Sequence, residues 1–327
     1  MCRPGFHRAG VVLACRNMAP VSLGLFSSPR ATMGRRGPRR VGVLALLAFV
    51  AGCATSTAPS QRVSISTGTD GVTFEEAGRP VLFYRTRAEA GREPWRVNYI
   101  HPLYSVAGAV LTEDAPADHI HQRGLYWAWR RVLVDGVRVA DGWVGDRLVL
   151  DVAEPVTRTW PDGSAQLDVR TVWRAPVGAV ERAIVEETST IRAYPTIDGR
   201  RRLEIEVRLR ALLDGVQLAG TDDDKGYGGL SFRFAHATGV QLEADGRPIQ
   251  ATLAGMEAGK TVAFRWPTLA PPWPDAIQVA CEVDGKPWVH WVLRQEPSMQ
   301  NCAFPGRTPV QVPTGRPLTL RATLDIG

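Results

Sequence analysis

Apolar and polar residues alternate with a period of two through much of the chain. Leu203, Ile205, Val207 and Leu209 are interleaved with Glu204, Glu206, Arg208 and Arg210. That spacing turns one face of a strand to a core and the other to water. Leu318, Leu320, Ala322, Leu324 and Ile326 repeat it near the C-terminus. Residues 167–173, 230–234, 261–266 and 288–293 read as further strands, rich in β-branched and aromatic side chains. Few stretches carry helical periodicity. Asp-Gly stands at 70–71, 135–136, 141–142, 162–163, 198–199, 214–215, 245–246 and 284–285. This dipeptide supplies the positive φ angles that tight hairpins need. Parallel βαβ units need long helical crossovers instead. The expected fold class is therefore all-β, a large antiparallel β-sandwich, with residues 63–327 forming one domain.

The first 53 residues read differently. From Met33 the chain runs Met-Gly-Arg-Arg-Gly-Pro-Arg-Arg, then an apolar stretch over 41–50, then Ala51-Gly52-Cys53. A charged start, a short apolar run and small residues before the cut describe an export signal. The apolar run is too short to stay as a membrane span. Val50-Ala51-Gly52-Cys53 resembles a lipobox, so the favoured reading is a bacterial lipoprotein signal over 33–53, with Cys53 taking the acyl chains that anchor the protein. A plain secretory signal is the blander alternative, and Arg39-Arg40 admits a twin-arginine signal. Residues 1–32 read as upstream sequence translated from an early start. Residues 54–62 read as a short polar tether. The expected location is the bacterial cell envelope, periplasmic or outer membrane, with the membrane as a partner only through the lipid.

Setting the leader aside changes the charge. The whole chain carries 39 basic and 33 acidic side chains, but eight of the basic and none of the acidic fall in residues 1–53. Residues 54–327 carry 31 basic against 33 acidic, a formal charge of −2. Nothing in that balance suits nucleic acid as a partner. Beyond Cys53 only Cys281 and Cys302 remain. In an oxidising compartment they can pair, or they are two separate buried thiols.

The densest chemistry lies in 98–129. Asn-Tyr-Ile-His-Pro-Leu-Tyr at 98–104 is followed by Asp-His-Ile-His-Gln-Arg-Gly-Leu-Tyr-Trp-Ala-Trp at 118–129. Three of the six histidines, His101, His119 and His121, fall here. His119 and His121 share a face if they lie on a strand, or converge if they lie on a loop. Asp118 can accept an imidazole N–H and orient the ring. Arg123 offers a rigid donor fork for a carboxylate, phosphate or paired hydroxyls. Gly124 permits a close approach or an unusual φ. Tyr126 should face away from Trp127 and Trp129, so that one side of the strand can flank a cleft. A His-x-His pair alone is as often structural as functional, and tryptophans are commonly core. Clustering is what favours a site. A metal would need a third ligand brought in by the fold from His101, His236, Glu186 or Glu187. The residues specify no cofactor.

Other candidates are weaker. Residues 221–234 form an acidic, Gly-rich loop entering a strand, in which Lys225 and Arg233 can line the same cleft. It is not a phosphate-binding loop, because Lys225 precedes the glycines and no helix follows. Of Glu186 and Glu187 one should point inward, where a buried carboxylate beside histidines suits acid/base work. A surface salt bridge is the equal alternative. His290, near Trp288 and Trp291, reads as packing.

His-Pro-Leu-Tyr-Ser at 101–105, Asp-His-x-His-x-Arg-Gly-Leu at 118–125 and Lys-Gly-Tyr-Gly-Gly-Leu-Ser-x-Arg at 225–233 resemble an uncharacterised bacterial family labelled PmoA, or methane oxygenase. The resemblance spans roughly 75–325. Membrane methane oxidation needs several transmembrane helices, and residues 54–327 hold no apolar run of that length. The family is similar to large sandwiches of the galactose-mutarotase type and to exported proteins of carbohydrate-degrading bacteria. This implies a supersandwich fold and a glycan or small-molecule ligand. Family members usually read Asp-His-Pro-His-His-Arg-Gly, whereas here Ile120 replaces the proline and Gln122 the last histidine. If that histidine acts in catalysis, the present protein is altered or inactive.

These residues support three expectations. In the leading one, an envelope-anchored enzyme acts on a carbohydrate or sugar derivative. His101, His119, His121 and Glu187 act as acid/base groups, Asp118 orients a histidine, and Arg123, Trp127, Trp129, Lys225 and Arg233 bind the ligand. The second is a non-catalytic envelope binding protein. The third is a metal-dependent oxygenase or hydrolase.

Overall fold

A computed structural model describes residues 61–236 and 238–327. The expected leader, signal segment and Cys53, with most of the tether, lie outside the described residues. No helix occurs among the described residues, and every strand pair is antiparallel. Two large sheets dominate. One has nine strands in the order Val63–Thr67, Gly71–Glu76, Arg79–Arg85, Tyr99–Leu103, Leu125–Trp129, Gly228–Arg233, Met299–Ala303, His290–Val292, Met256–Glu257. The other has eleven. Its continuous path runs Arg247–Ile249, Gln241–Ala244, Thr261–Arg265, Ala276–Val283, Leu318–Ile326, Arg201–Ala211, Val180–Ala193, Ala165–Val177, Val149–Val152. A four-stranded sheet, Val310–Gln311, Val216–Ala219, Arg131–Val134, Val137–Ala140, completes the fold. The all-β antiparallel sandwich expected from the alternation is present.

The alternation works residue by residue. Leu203, Ile205, Val207 and Leu209 are all buried, as are Leu318, Leu320, Ala322, Leu324 and Ile326. These two strands pair in register, Leu203 opposite Leu324 and Leu209 opposite Leu318. Their inward faces join Trp127, Trp129, Leu230 and Phe232 of the nine-stranded sheet in one core. The turn chemistry is more selective. At 135–136, 198–199, 245–246 and 284–285 both Asp and Gly take positive φ. Three of these are two-residue hairpins, joining Arg131–Val134 to Val137–Ala140, Gln241–Ala244 to Arg247–Ile249, and Ala276–Val283 to Lys286–Pro287. Gly71 opens a strand and has no positive φ. There a Cβ would meet the Tyr84 carbonyl oxygen at 2.1 Å, so close approach rather than turn geometry demands the glycine.

One polar group joins the two sheets. Glu187 lies on Val180–Ala193 of the eleven-stranded sheet and is fully buried. Its Oε1 accepts from Asn98 Nδ2 (2.8 Å), Trp127 Nε1 (2.6 Å) and Ser189 Oγ (2.5 Å), and its Oε2 from Trp173 Nε1 (2.8 Å). Asn98 and Trp127 belong to the opposite sheet side, Ser189 and Trp173 to its own. All four donors are neutral. Burial, the largest influence, raises the carboxyl above the ordinary carboxylate range, and the bonds from Ser189, Asn98, Trp127 and Trp173 pull it back only in part. Glu187 is therefore a joint of the sandwich rather than an acid/base group beside the histidines, contrary to the role its sequence neighbourhood suggests.

Replacing Glu187 by Ala strands four buried donors and should cost about 3–5 kcal/mol of stability. Glu187→Gln keeps one acceptor oxygen and should cost less, about 1–3 kcal/mol. The folded chain holds the Glu187 proton to higher pH than the unfolded chain does. Its contribution is thus fullest below the unfolded pKa and is lost as pH rises through the folded value, a slope that Glu187→Gln should flatten. Urea unfolding across pH checks both effects, and an Ala variant within about 1 kcal/mol of wild type, a margin far below the expected cost, would refute the joint.

Candidate functional site

The strand Leu125–Trp129 is buried on both faces. Leu125, Trp127 and Trp129 enter the inter-sheet core, while Tyr126 and Ala128 enter a smaller cluster on the other face with Tyr99, Trp143, Val292, Met299 and Ala303. The parity that separates Tyr126 from the two tryptophans is as expected. Its consequence is different, because both tryptophans face inward. Trp127 Nε1 donates to Glu187, and Trp129 Nε1 donates to the Phe304 carbonyl (2.9 Å). Neither presents a ring to a cleft, so their expected ligand-binding role is withdrawn on grounds of burial.

The second cluster lies on the outer face of the nine-stranded sheet, beneath loops that contribute Trp95, Trp143 and residues 112–124. Three buried arginines organise those loops. Arg233 donates to both oxygens of Asp118 (3.1 and 2.9 Å), to Gln122 Oε1 (3.0 Å) and to Glu113 Oε2 (3.0 Å). Arg96 donates to Glu93 Oε2 (2.8 Å), to Asp114 Oδ1 (3.0 Å) and to the Ile120 carbonyl. Tyr99 Oη donates to the other Asp114 oxygen (3.1 Å). Backbone bonds close the loop, from His119 N to Pro116 O, Gln122 N to His119 O and Ala115 N to Gln122 O. Gly124, at φ +44°, lets the chain pass Ile100, whose carbonyl oxygen would lie 2.1 Å from any Cβ there. Arg233 thus holds the histidine loop from below and is not free to line a cleft.

The histidines sit on this scaffold. Asp118 Oδ2 lies 2.8 Å from His119 Nδ1, which places the ring proton on Nδ1 and leaves Nε2 outward, the arrangement of an oriented acid/base imidazole. Asp118 lies below the ordinary carboxylate range. Burial, the largest single influence, pushes it up, but the bonds from His119 and Arg233 and the Arg233 charge outweigh that. His121 meets His119 edge to face, with ring centroids 5.8 Å apart. Burial first, then the charges of His119, Arg130, Arg123 and Arg96, pull His121 down to about 4, so it is a neutral imidazole at physiological pH. His101 is half-buried on the adjacent strand Tyr99–Leu103, with Nδ1 3.0 Å from Thr112 Oγ1. Burial lowers it as well, against the opposing pull of Asp114. Among the described residues no set of three or more His, Cys, Asp and Glu is grouped to hold a metal ion.

Arg123 is the exception among the arginines. It is 2 % exposed, yet its guanidinium meets only carbonyls at long range, Trp143 O and Gly142 O, both at 3.4 Å. Its Nε has no partner. The guanidinium lies between the rings of Trp95 (4.9 Å) and Tyr126 (4.7 Å), and burial pulls it down to about 10. One further buried donor of the same cluster, Trp143 Nε1, is also unpartnered, while Tyr126 Oη is served by Ser231 opposite it on the neighbouring strand. The rings of Tyr126 and Trp143 are 5.2 Å apart, and those of Trp143 and Tyr227 4.9 Å. The Trp143 turn is pinned by Asp141, which forms an ion pair with Arg130 and accepts from Arg138 and the amides of Trp143 and Val144. Trp95, half-exposed, lies against Gly145.

The remaining candidates disperse. Lys225 stands on the 221–227 turn, where its amide donates to Asp223 Oδ1 (3.1 Å) and its carbonyl lies beside Gly255 and His290. No ion pair or side-chain hydrogen bond joins it to the histidines among the described residues, so its place in their cleft is not supported. Glu186 bridges Arg170 and Arg210 on the outer face of the eleven-stranded sheet. His236 packs its ring edge on Trp273 at 4.6 Å. Trp95, Arg96, Tyr99, Asp114 and Trp143 were not singled out from sequence. Trp95 and Arg96 lie two or three residues before Asn98, so a wider window around that stretch would have included them.

His121 should stay neutral until pH nears 4, and a proton-detected NMR titration of its ring reads this directly. The unfolded chain takes up that proton at higher pH, so His121 removes stability as pH falls from the unfolded value towards 4. His121→Gln should abolish that part of the acid slope. A His121 resonance titrating near its ordinary value would show that the ring is not enclosed as described.

No curated protein matches the chain. A family model does match, over residues 71–326, which takes in both large sheets except the edge strand Val63–Thr67, together with the histidine loop and the Arg123 cluster. The chain belongs to that family, a family of unknown function designated DUF6807.

Proposed function

We propose that this chain is an exported, lipid-anchored protein that binds an oxygen-rich ligand, a carbohydrate or sugar acid, on the outer face of its nine-stranded sheet and acts on it through His119. The observation that carries the reading is the unbalanced Arg123 cluster. A guanidinium removed from water without an anion costs several kcal/mol, and orphaned buried donors cost about 1–3 kcal/mol each. Arg123 Nε and Trp143 Nε1 share one cluster and both lack acceptors. A ligand bearing carboxylate or hydroxyl oxygens would supply them, and the neighbouring aromatic faces suit the apolar side of a sugar ring. Trp95, half-exposed over Arg123, is the side chain whose displacement would admit it.

The chemistry rests on the imidazoles. His119 Nε2, oriented by Asp118, is placed to take or give a proton, and neutral His121 beside it is placed to accept one. The resemblance of the 101–105, 118–125 and 225–233 motifs to the PmoA-labelled family supports locating function at this loop. The methane chemistry of that label forms no part of the proposal.

Calorimetry with neutral sugars and with uronates tests the binding. Wild type should bind, with uronates favoured, and Arg123→Met should weaken binding by about 10- to 100-fold, the loss of a charge-assisted hydrogen bond. His119→Ala should leave binding in place and remove turnover. Absence of binding to any sugar or sugar acid by the folded protein would end the proposal. Binding without turnover in wild type would leave a non-catalytic envelope protein. For the anchor, Cys53→Ala should move the protein from the membrane fraction to the soluble fraction, and unchanged partitioning would refute it.

A further inference from the structure

Residues 54–327 contain two cysteines, and the fold brings them together. Cys281 lies on Ala276–Val283 of the eleven-stranded sheet, opposite Ala322. Cys302 lies on Met299–Ala303 of the nine-stranded sheet, between Leu230 and Trp291 on its neighbouring strands. Both thiols are buried and unbridged, and both point into the core between the sheets. Together they line one small internal void with Trp127, Ile205, Leu230 and Leu320.

We infer that Cys281 and Cys302 pair oxidatively during folding, in a disulfide that staples the nine-stranded sheet to the eleven-stranded sheet. Packing alone does not require two cysteines here, since alanine or valine would fill the same positions without a reactive group. A disulfide needs the two β-carbons within about 4 Å with a staggered S–S torsion. Side chains that enter one void from facing sheets approach that by rotation, and the void gives the sulfurs room to turn. The pair then restrains a loop closed by residues 281 and 302.

The chemistry balances with a low-molecular-weight disulfide as oxidant. A thiolate of one cysteine attacks that oxidant to give a mixed disulfide, and the second cysteine displaces the small thiol. Two protein S–H bonds are lost and one S–S bond forms. The two electrons and two protons appear as two molecules of reduced small thiol. Burial, reinforced by the contact with Cys281, raises Cys302 well above the ordinary thiol range, so thiolate is scarce once the sheets have met. Pairing therefore belongs to folding, before the core excludes the oxidant. It is independent of the ligand site.

The test uses the full chain, denatured and reduced, then refolded in a buffer of reduced and oxidised glutathione. Free thiols are alkylated in denaturant without reductant, and tryptic peptides are weighed. Arg294, followed by Gln295, lies between the two cysteines, so trypsin separates them unless a bridge holds the fragments together. The expected result is a linked Cys281–Cys302 peptide pair carrying no alkyl group. Reduction of the refolded protein should lower its melting temperature by roughly 5–10 °C. Cys281→Ala should melt at the same temperature with and without reductant. Native protein in which both cysteines are fully alkylated would overturn the inference, whatever the variant does.

Discussion

A buried carboxylate with no cation beside it holds this sandwich together. Glu187 receives four neutral donors, two from each side of the interface between the large sheets. Hydrophobic contact between two sheets is non-directional and tolerates sliding. Four hydrogen bonds on two oxygens do not, because an N–H displaced by an ångström in a dry core is left without a partner. The choice of Trp127 and Trp173 as donors follows from the same need, since indole supplies a large apolar surface and one directed N–H. The consequence reaches the outer face through Asn98. That residue takes φ +62°, donates to Glu187, and leads directly into Tyr99–Leu103, the strand that bears Tyr99 and His101. Outer-face geometry is thus set from the core.

Above that strand the fold handles three buried arginines in two ways. Arg233 is surrounded by Asp118, Glu113 and Gln122, and Arg96 by Glu93, Asp114 and a carbonyl. Each repays its desolvation with close, charge-assisted bonds. Arg123, equally buried and a few residues away, has two long carbonyl contacts and two aromatic faces. The loops around it already contain the acids that pair its neighbours, so acidic residues are not scarce in this part of the chain. Leaving Arg123 without one, next to the unpartnered Trp143 Nε1, is a local departure from the rule that buried polar groups are satisfied. Departures of that kind concentrate at functional sites.

Most of the fold was legible because strands carry their register in the period-two pattern. The buried faces of Arg201–Ala211 and Leu318–Ile326 could be named from sequence, whereas of the eight Asp-Gly pairs only four take positive φ at both positions, and the dipeptide alone does not say which. The site was legible only as a neighbourhood. Glu187 and Asn98 are 89 positions apart, and Arg233 lies 115 from Asp118. Alternation says that one of Glu186 and Glu187 points inward; it does not say whether inward means the histidines or the opposite sheet. The same ambiguity misplaced Trp127 and Trp129. A strand buried on both faces has no polar side to mark which direction leads to a ligand.

Position 122 shows how placement changes the meaning of a substitution. From sequence, glutamine in place of the usual histidine of the motif suggests a lost catalytic group. In the fold the side chain is 2 % exposed, and its Oε1 accepts from Arg233 Nη1 at 3.0 Å. A histidine there would face the same guanidinium and could serve it only as a neutral ring, through a lone pair. Protonation would set two cations against each other in a dry pocket, which burial strongly opposes. Either residue therefore acts as an acceptor for Arg233, and glutamine does so at any pH. The motif's other polar groups, Asp118, His119 and His121, are all retained. Gln122 changes how the loop is fastened to Arg233 while leaving those groups in place.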